Sequence, residues 1–354
     1  MSTFDDRREN IRMIRDSAVS FASRGHAERV RSLRYKLPGI DRNVWQEIAD
    51  NGWLGLTIPE YQGGVGLGMS EYVALAHELG GILLPEPFIA AVMATRLADE
   101  QTRRAILAGE RVILPAWQDT RTTLNTDDSA IQIDANLLTG KKVCVSMGAA
   151  AEAFIVTTRE GIALVDADQP GVHIDTEMTQ DGGHFATLTL IRTEASITPV
   201  SSSTINDAVD ESILAIAAYL LGVADKAFAL TLDYLNTRKQ FGHLIGSFQV
   251  LQHRAVDLKL QLELLRASVQ SAASLWDSGG SRELRQAAIS RAKARAADVS
   301  LLVTRQAVQM HGAIGYTDEC DIGLFLRKAM TLANSYGSAA VHRKRYDSLL
   351  SQTA

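Results

Sequence analysis

The sequence predicts an α+β protein: a helical segment, then a small β segment, then a longer helical bundle. Three observations carry this. Apolar residues recur at three- and four-residue spacing over residues 1–110 and again over 205–354. Between them, over residues 111–204, short runs rich in β-branched residues alternate with turn residues. The chain has 354 residues, enough for two or three cores at roughly 100–200 residues each. The expected domains are therefore an N-terminal helical domain (1–110), a β domain (111–204) and a C-terminal four-helix-type bundle (205–354).

In the first segment, Val44, Ile48, Trp53 and Leu54 fall at helical spacing. The pattern breaks at IPEYQGGVGLG, with Pro59, Gly63, Gly64, Gly66 and Gly68 close together. It resumes in SEYVALAHELGGIL, for which Ser70 is the expected N-cap. In the second segment AIQIDANLLTGKKVCVSMG, AFIVTT, IALVDAD, GVHID and FATLTL read as strands, divided by turns such as DQPG and DGGH. Short strands at this spacing predict a small barrel or sandwich. The serine-rich TPVSSSTINDAVDE is the expected hinge into the third segment. There Ile213, Ile216, Leu220, Val223, Ala227 and Leu230 form one apolar stripe, and Leu251, Ala255, Leu258, Leu262 and Leu265 another. RQAAISRAKARAADVSLLVTRQAVQMHG is a third helix.

Composition bounds the function. The net charge of −5 gives no basic footprint, so nucleic acid is not an expected partner. Cys144 and Cys320 are the only cysteines and form neither a metal spacing nor a disulfide framework, which fits a reducing, cytoplasmic setting. The polar start MSTFDDRREN is not that of a signal peptide. The longest apolar run, Ile213 to Ala224, is short of the roughly 20 residues of a membrane span and reads as a buried helix. His77 and Glu78 lack the second histidine of a zinc helix, and no metal is expected.

Two glycine-bearing stretches stand out. HGAIGYTDE places Gly312 and Gly315 after a long helix, where glycine ends helices at little cost. YLNTRKQFGHLIGSFQVLQH ends one helix, turns through Gly242 and Gly246, and starts another, with Arg238 and Lys239 just before the turn. Together they resemble the C-terminal region of the acyl-CoA dehydrogenase family, where an R-x-x-F-G turn and a Q-x-x-G-G-x-G turn hold the two ends of FAD. The matching residues are Arg238, Phe241 and Gly242, then Gln249, then Gln309, Gly312 and Gly315, with Ala313 in place of one family glycine. IPEYQGGVGLGMSEYVALAHELG and LTGKKVCVSMGAAAEAFIVTT extend the resemblance over most of the chain. It implies FAD as cofactor, an acyl-CoA substrate, and a second subunit that supplies one of the turns. The chemistry agrees: a guanidinium matches a diphosphate, and backbone N–H groups approach a phosphate or adenine only where side chains are absent.

The family reaction is α,β-dehydrogenation of an acyl-CoA thioester, in which a carboxylate removes the α proton. Most members place that carboxylate in a Y-E-G-T motif after the glycine turn. Here the corresponding stretch is NSYGSAAVHR: Tyr336 stands in the glutamate slot, Gly337 matches, and Ser338 replaces the threonine. A tyrosine of pKa about 10 faces a deficit of about 4 kcal/mol at neutral pH, so Tyr336 reads as a lining residue rather than a base. Other members carry the glutamate on the first bundle helix. That slot falls on Ser212, and Glu211 is one residue away, a rotation of about 100°. Glu211 and Asp210 also read as acidic partners of a helix's first turn.

The β segment departs as well. LPAWQDTRTTLN matches the family's flavin-side T-E-P-x-x-G-S-D loop poorly. Cys144 replaces the flavin-packing tryptophan, while Ser146 keeps the hydroxyl position. Trp117 reads either as a replacement aromatic surface or as a core residue. His311 and His342 flank the site region and read as helix-end or lining residues. The expectation is an acyl-CoA dehydrogenase-like chain that serves as the base-lacking subunit of a hetero-oligomer of the steroid-CoA type. The alternatives are a self-sufficient dehydrogenase with Glu211 as a relocated base, a flavin-dependent monooxygenase on the same scaffold, and a vestigial binding subunit.

Overall fold

A computed structural model describes residues 4–22, 26–124 and 126–351. Helices α1 (Phe4–Ala22), α2 (His26–Leu33), α3 (Arg42–Asp50), α4 (Met69–Gly81), α5 (Phe88–Leu97) and α6 (Glu100–Leu107) come first. Strands β1 (Ile113–Ala116), β2 (Gln132–Asp134), β3 (Leu137–Ser146), β4 (Ala153–Thr157), β5 (Ile162–Asp166), β6 (Val172–Met178), β7 (His184–Glu194) and β8 (Ile197–Thr198) follow. The chain then forms α7 (Ser202–Thr237), a small hairpin of β9 (Lys239–Gln240) and β10 (His243–Leu244), α8 (Gln249–Asp277), α9 (Arg282–His311), α10 (Ile322–Leu332) and α11 (Ala339–Ser351). The helical, β, helical order is the one the residue periodicities predict.

Packing groups these elements into two compact units. One comprises the chain up to Arg31, Met69–Leu84 and the chain from Ile213 onward. The other comprises Ser32–Gly68 and Pro85–Ser212. Boundaries at 110 and 204 separate types of secondary structure. The units instead follow which apolar faces meet, so α1 and α4 join the bundle while α3, α5 and α6 join the strands.

In the first unit, α9 packs against α8, α10 and α11. Its face toward them is built of small residues, Ala288, Ala292, Ala296 and Val299 among those buried. The stripe predicted on α7 is buried as expected at Ile213, Ile216, Leu220, Val223 and Ala227. The helix around it is much longer than the apolar run alone, and by length and composition it is the one helix among the described residues able to cross a membrane. In its most apolar window, however, 78% is buried within the fold. α4 and α7 cross at a pair of glycines: a Cβ on Gly80 would strike the Tyr219 carbonyl, and one on Gly222 would strike the His77 carbonyl. Ser70 is not the N-cap expected of it. Asp277, at the end of α8, accepts from the Met69 and Ser70 N–H groups at 2.7 and 3.0 Å and from the Ser70 hydroxyl at 2.6 Å. A carboxylate brought by tertiary packing has taken the cap's task.

In the second unit the strands form two four-stranded sheets, ordered β1-β4-β5-β8 and β2-β3-β7-β6. β1 runs parallel to β4 and the other pairs are antiparallel. β7 shows the period-two signature of one buried face: His184, Ala186, Leu188 and Leu190 point inward. The TPVSSSTINDAVDE stretch is not an irregular hinge, because helix begins at Ser202. The Ser201 hydroxyl accepts from the Thr204 N–H at 3.2 Å, so a serine of that stretch starts the helix.

Candidate active site

The RKQFGHL stretch forms the β9–β10 hairpin, with Gln240 opposite His243 and Lys239 opposite Leu244. Phe241 and Gly242 are its two-residue loop, at φ 52° and 78°. Positive φ at both loop positions is the turn whose twist suits a tight hairpin. The consequence is exposure. Phe241 is 89% exposed, and Arg238 and Gln249, the first residue of α8, are exposed as well. The Arg238 guanidinium has no hydrogen-bond or ionic partner among the described residues, while its backbone N–H donates to the Tyr234 carbonyl at 2.9 Å. An unpaired guanidinium beside a presented turn fits the diphosphate of FAD.

The second glycine turn closes α9. Gly312 adopts φ 68°, ψ −146°, a conformation open in practice to glycine alone, and its N–H bonds the Gln309 carbonyl. Nothing lies within 4 Å of where its Cβ would be. Conformation therefore demands the glycine, and the space beside it stays open to a ligand. Gly315 is buried, and a Cβ there would come within 2.8 Å of the Val308 carbonyl. The Gln309 side chain is exposed. Tyr234 and His311 tie the two turns together within one chain: their rings stack at 4.4 Å, and the Tyr234 hydroxyl donates to the His311 carbonyl at 3.3 Å. His311 Nδ1 bonds the Ala307 carbonyl at 2.8 Å, and burial holds the ring's pKa below its usual value despite that bond.

Tyr336 occupies the turn between α10 and α11, at φ 53° and 9% exposed. Gly337 follows at φ 94°. Ser338 has a local task, since its hydroxyl accepts from the Val341 N–H at 3.4 Å and so caps α11. Two fully buried basic residues hold this turn from beneath. Lys293, in the middle of α9, donates from Nζ to the carbonyls of Ala333 and Gly337 at 3.0 Å and of Leu332 at 3.4 Å. His342 Nε2 bonds the Tyr336 carbonyl at 2.8 Å. Burial pushes Lys293 down to about 7 and, with the neighbouring Lys293 charge, His342 down to about 3. The sequence reading missed Lys293 entirely. A lysine flanked by small residues in RAKARAAD reads as solvated, and only the helix phase against buried Ile289 and Ala296 hints otherwise.

The alternative carboxylate lies in the other unit. Asp210, Glu211 and Ser212 are all buried on α7. They lie well past the helix's first turn, since α7 begins at Ser202, so the reading of the acids as N-terminal dipole partners does not apply. The Ser212 hydroxyl donates back to the Ala208 carbonyl at 2.8 Å. Glu211 Oε1 lies 3.7 Å from Nε of Arg96 on α5. That ion pair gives the carboxylate a partner which sequence spacing did not reveal.

In the β region, β3 carries a bulge between Lys142 and Val145. Cys144 sits in it at φ 57°, and burial raises its thiol pKa. Ser146 ends the strand opposite Phe185 and is partly exposed. Trp117 is a core residue, 4% exposed. Its carbonyl accepts from Lys142 Nζ at 3.4 Å, and Lys142 in turn pairs with Asp119 at 2.9 Å. Trp117 and Asp119, which open the WQDTRTT stretch, are thus anchored from within by a buried lysine.

Comparison with known proteins follows the same lines. Residues 8–105 match the description "Acyl-CoA dehydrogenase, N-terminal domain" and residues 203–347 match "Acyl-CoA dehydrogenase, C-terminal domain". A relative named acyl-CoA dehydrogenase IpdE2, from Mycolicibacterium smegmatis, is 28% identical over 96% of this chain and 98% of its own length. A solved steroid ACAD variant, Tcur3481-Tcur3483 G363A, superposes with a TM-score of 0.86 at 25% identity, covering 99% of this chain and 98% of that one. The ChsE4-ChsE5 complex from Mycobacterium tuberculosis contains a chain of the same fold, with a TM-score of 0.86 at 24% identity over 100% of this chain and 99% of that one.

Proposed function

The chain belongs to the acyl-CoA dehydrogenase family, and on that premise we propose that it is the base-lacking subunit of a hetero-oligomeric dehydrogenase acting on the CoA thioester of a bulky, steroid-type acid. The family's members are oxidoreductases acting on CH–CH bonds, and FAD is the cofactor. When bound, FAD supplies the two-electron oxidising capacity for α,β-dehydrogenation. Arg238 is the residue for its diphosphate, and the exposed Gly312 turn leaves backbone open for close approach to the rest of it. Ser146 is proposed to hydrogen-bond the flavin ring, and Phe241, Gln249, Gln309 and Gly315 shape the two turns.

One observation carries the base-lacking reading: the turn that would hold the carboxylate holds Tyr336 instead, fixed there by Lys293 and His342. A phenol cannot do a carboxylate's work at neutral pH at a deficit of about 4 kcal/mol. Burial beneath the turn resists remodelling, so residue 336 has no easy route to give way to a neighbour. In this reading a second acyl-CoA dehydrogenase-type chain supplies the base. The steroid-type substrate draws support from the 25% identical steroid ACAD, which is named for two components.

One observation favours a second reading, in which the chain is self-sufficient: Glu211 is a buried carboxylate on the right helix, one residue from the family's alternative slot. Its pairing with Arg96 weighs the other way, because that ion pair already gives it a structural task. The test is anaerobic flavin bleaching by a steroid side-chain CoA thioester, with the chain alone and with a co-expressed family member that carries the glutamate. The chain alone should leave the flavin oxidised, the pair should bleach it, and Glu211→Gln should not slow the pair. Bleaching by the isolated chain, abolished by Glu211→Gln, would overturn the base-lacking reading.

A further inference from the structure

The bundle-bearing unit contains a cavity of about 280 Å³ between α1, α4, α7 and α8. None of the residues that resemble the family's cofactor or catalytic positions lines it. All four helices contribute apolar wall, including Ile11, Val73, Leu221 and Val269. Arg7, Arg15, Arg266 and His77 also line it, and among the described residues no carboxylate does.

The acids of this region pair with these cations. Arg7 pairs with Asp277 at 3.3 Å, Arg15 with Glu78 at 3.6 Å, and Arg266 with Asp225 at 2.6 Å. His77 is bracketed, with Nδ1 3.1 Å from Glu78 and Nε2 2.8 Å from Asp225. Burial disfavours its charge, but the two carboxylates outweigh burial and raise its pKa above 6.5. These pairs do not exhaust the donors. Arg15 engages its partner through Nε alone, leaving both terminal nitrogens without an acceptor among the described residues, and Arg266 uses Nη2 and Nε but not Nη1. The two open terminal nitrogens of Arg15 match a carboxylate in two-point geometry, and Arg266 Nη1 adds a single donor. A largely apolar chamber lined by such donors selects for an anion with a hydrocarbon body. The volume lies just under the roughly 300–1,000 Å³ of drug-sized sites, which favours a small ligand.

We propose that this cavity binds a small monocarboxylic acid, with its carboxylate on Arg15 and Arg266 and its hydrocarbon body against the wall of α4, α7 and α8. This goes beyond the dehydrogenase reading and does not depend on it. The test uses the full chain and octanoate, followed by isothermal titration calorimetry and saturation-transfer NMR. Saturable binding is expected, at least tenfold tighter than that of octanol, which keeps the body and lacks the charge. Val73→Phe, which fills the chamber, should abolish binding, and Arg15→Met should weaken it at least fivefold. Arg15 is partly solvated, so its variant decides the matter should Val73→Phe fail to fold. Absence of saturable binding, octanol binding as well as octanoate, or octanoate binding unaltered by Arg15→Met would each overturn the proposal.

Discussion

Replacing Lys293 with methionine keeps the aliphatic stem and deletes the ammonium group that holds the Tyr336 turn. Two carbonyls, of Ala333 and Gly337, lose bonds of 3.0 Å, and that of Leu332 loses a longer one of 3.4 Å. A buried acceptor left unpaired costs about 1–3 kcal/mol, so the two short bonds amount to about 2–6 kcal/mol. The variant no longer has to desolvate a cation, which offsets part of this and leaves a net local cost of about 2–3 kcal/mol. Hydrogen exchange at the amides of residues 333–342 should then quicken by roughly 30- to 150-fold, at about 1.4 kcal/mol per factor of ten. The deficit should also depend on pH. Burial holds Lys293 at about 7, against 10.5 for an ordinary lysine. Between those values the unfolded chain carries a proton that the folded chain does not, so the wild type gains stability as pH rises. The gain is at most about 1.4 kcal/mol per pH unit, and methionine has no share in it. The variant's deficit should therefore be constant below pH 7 and widen above it. Unchanged exchange in the turn, or a deficit flat from pH 7 to 10, would refute the reasoning.

His342→Gln tests the second support of the same turn. The folded His342 titrates at about 3 and an ordinary histidine at 6.5, so the wild type should lose stability as pH falls from 6.5 to 3. The glutamine variant should show a flatter profile there in urea melts. His77→Gln should behave in the opposite sense, because the raised pKa of His77 contributes stability that is complete below 6.5 and lost as pH rises through its folded value. Thermal midpoints of wild type and variant should converge as the buffer is made alkaline. Gly312→Ala meets no neighbouring atom but forces alanine into φ 68°, ψ −146°. A loss of about 1–3 kcal/mol, with less FAD retained on gel filtration, is expected.

The order of helices and strands was legible because periods of 3.6 and 2 survive in single stretches such as Ile213 to Ala227 and His184 to Leu190. The comparison of NSYGSAAVHR with the family's carboxylate motif is likewise a count along the chain and needs no coordinates. What escaped was whatever depends on distant partners. The α4 N-terminus looked self-capped by Ser70, yet Asp277 performs that task from 207 positions away. Arg96 gave no hint in sequence that it meets Glu211. The β9–β10 hairpin was read only as a turn, because two-residue strands carry no alternation and Phe-Gly is not a common pairing for a loop of positive φ. Lys293 escaped because charge in a sequence is read as exposure. Its burial follows from small residues on the same face, which let α9 lie close against α10 and α11.

The glycine crossing of α4 and α7 has a mechanical corollary. Backbone meets backbone there, at Gly80 with Tyr219 and at Gly222 with His77, so these two helices form a hard stop that side-chain adjustment cannot shorten. The two backbones hold this crossing at a fixed separation whatever the neighbouring side chains do. The N-terminal helix α1, by contrast, is held by buried Ile14 and Ala18 and by ionic contacts from Arg7 and Arg15. Electrolyte weakens ion pairs of that kind, so salt should loosen α1 while leaving the α4–α7 crossing unchanged.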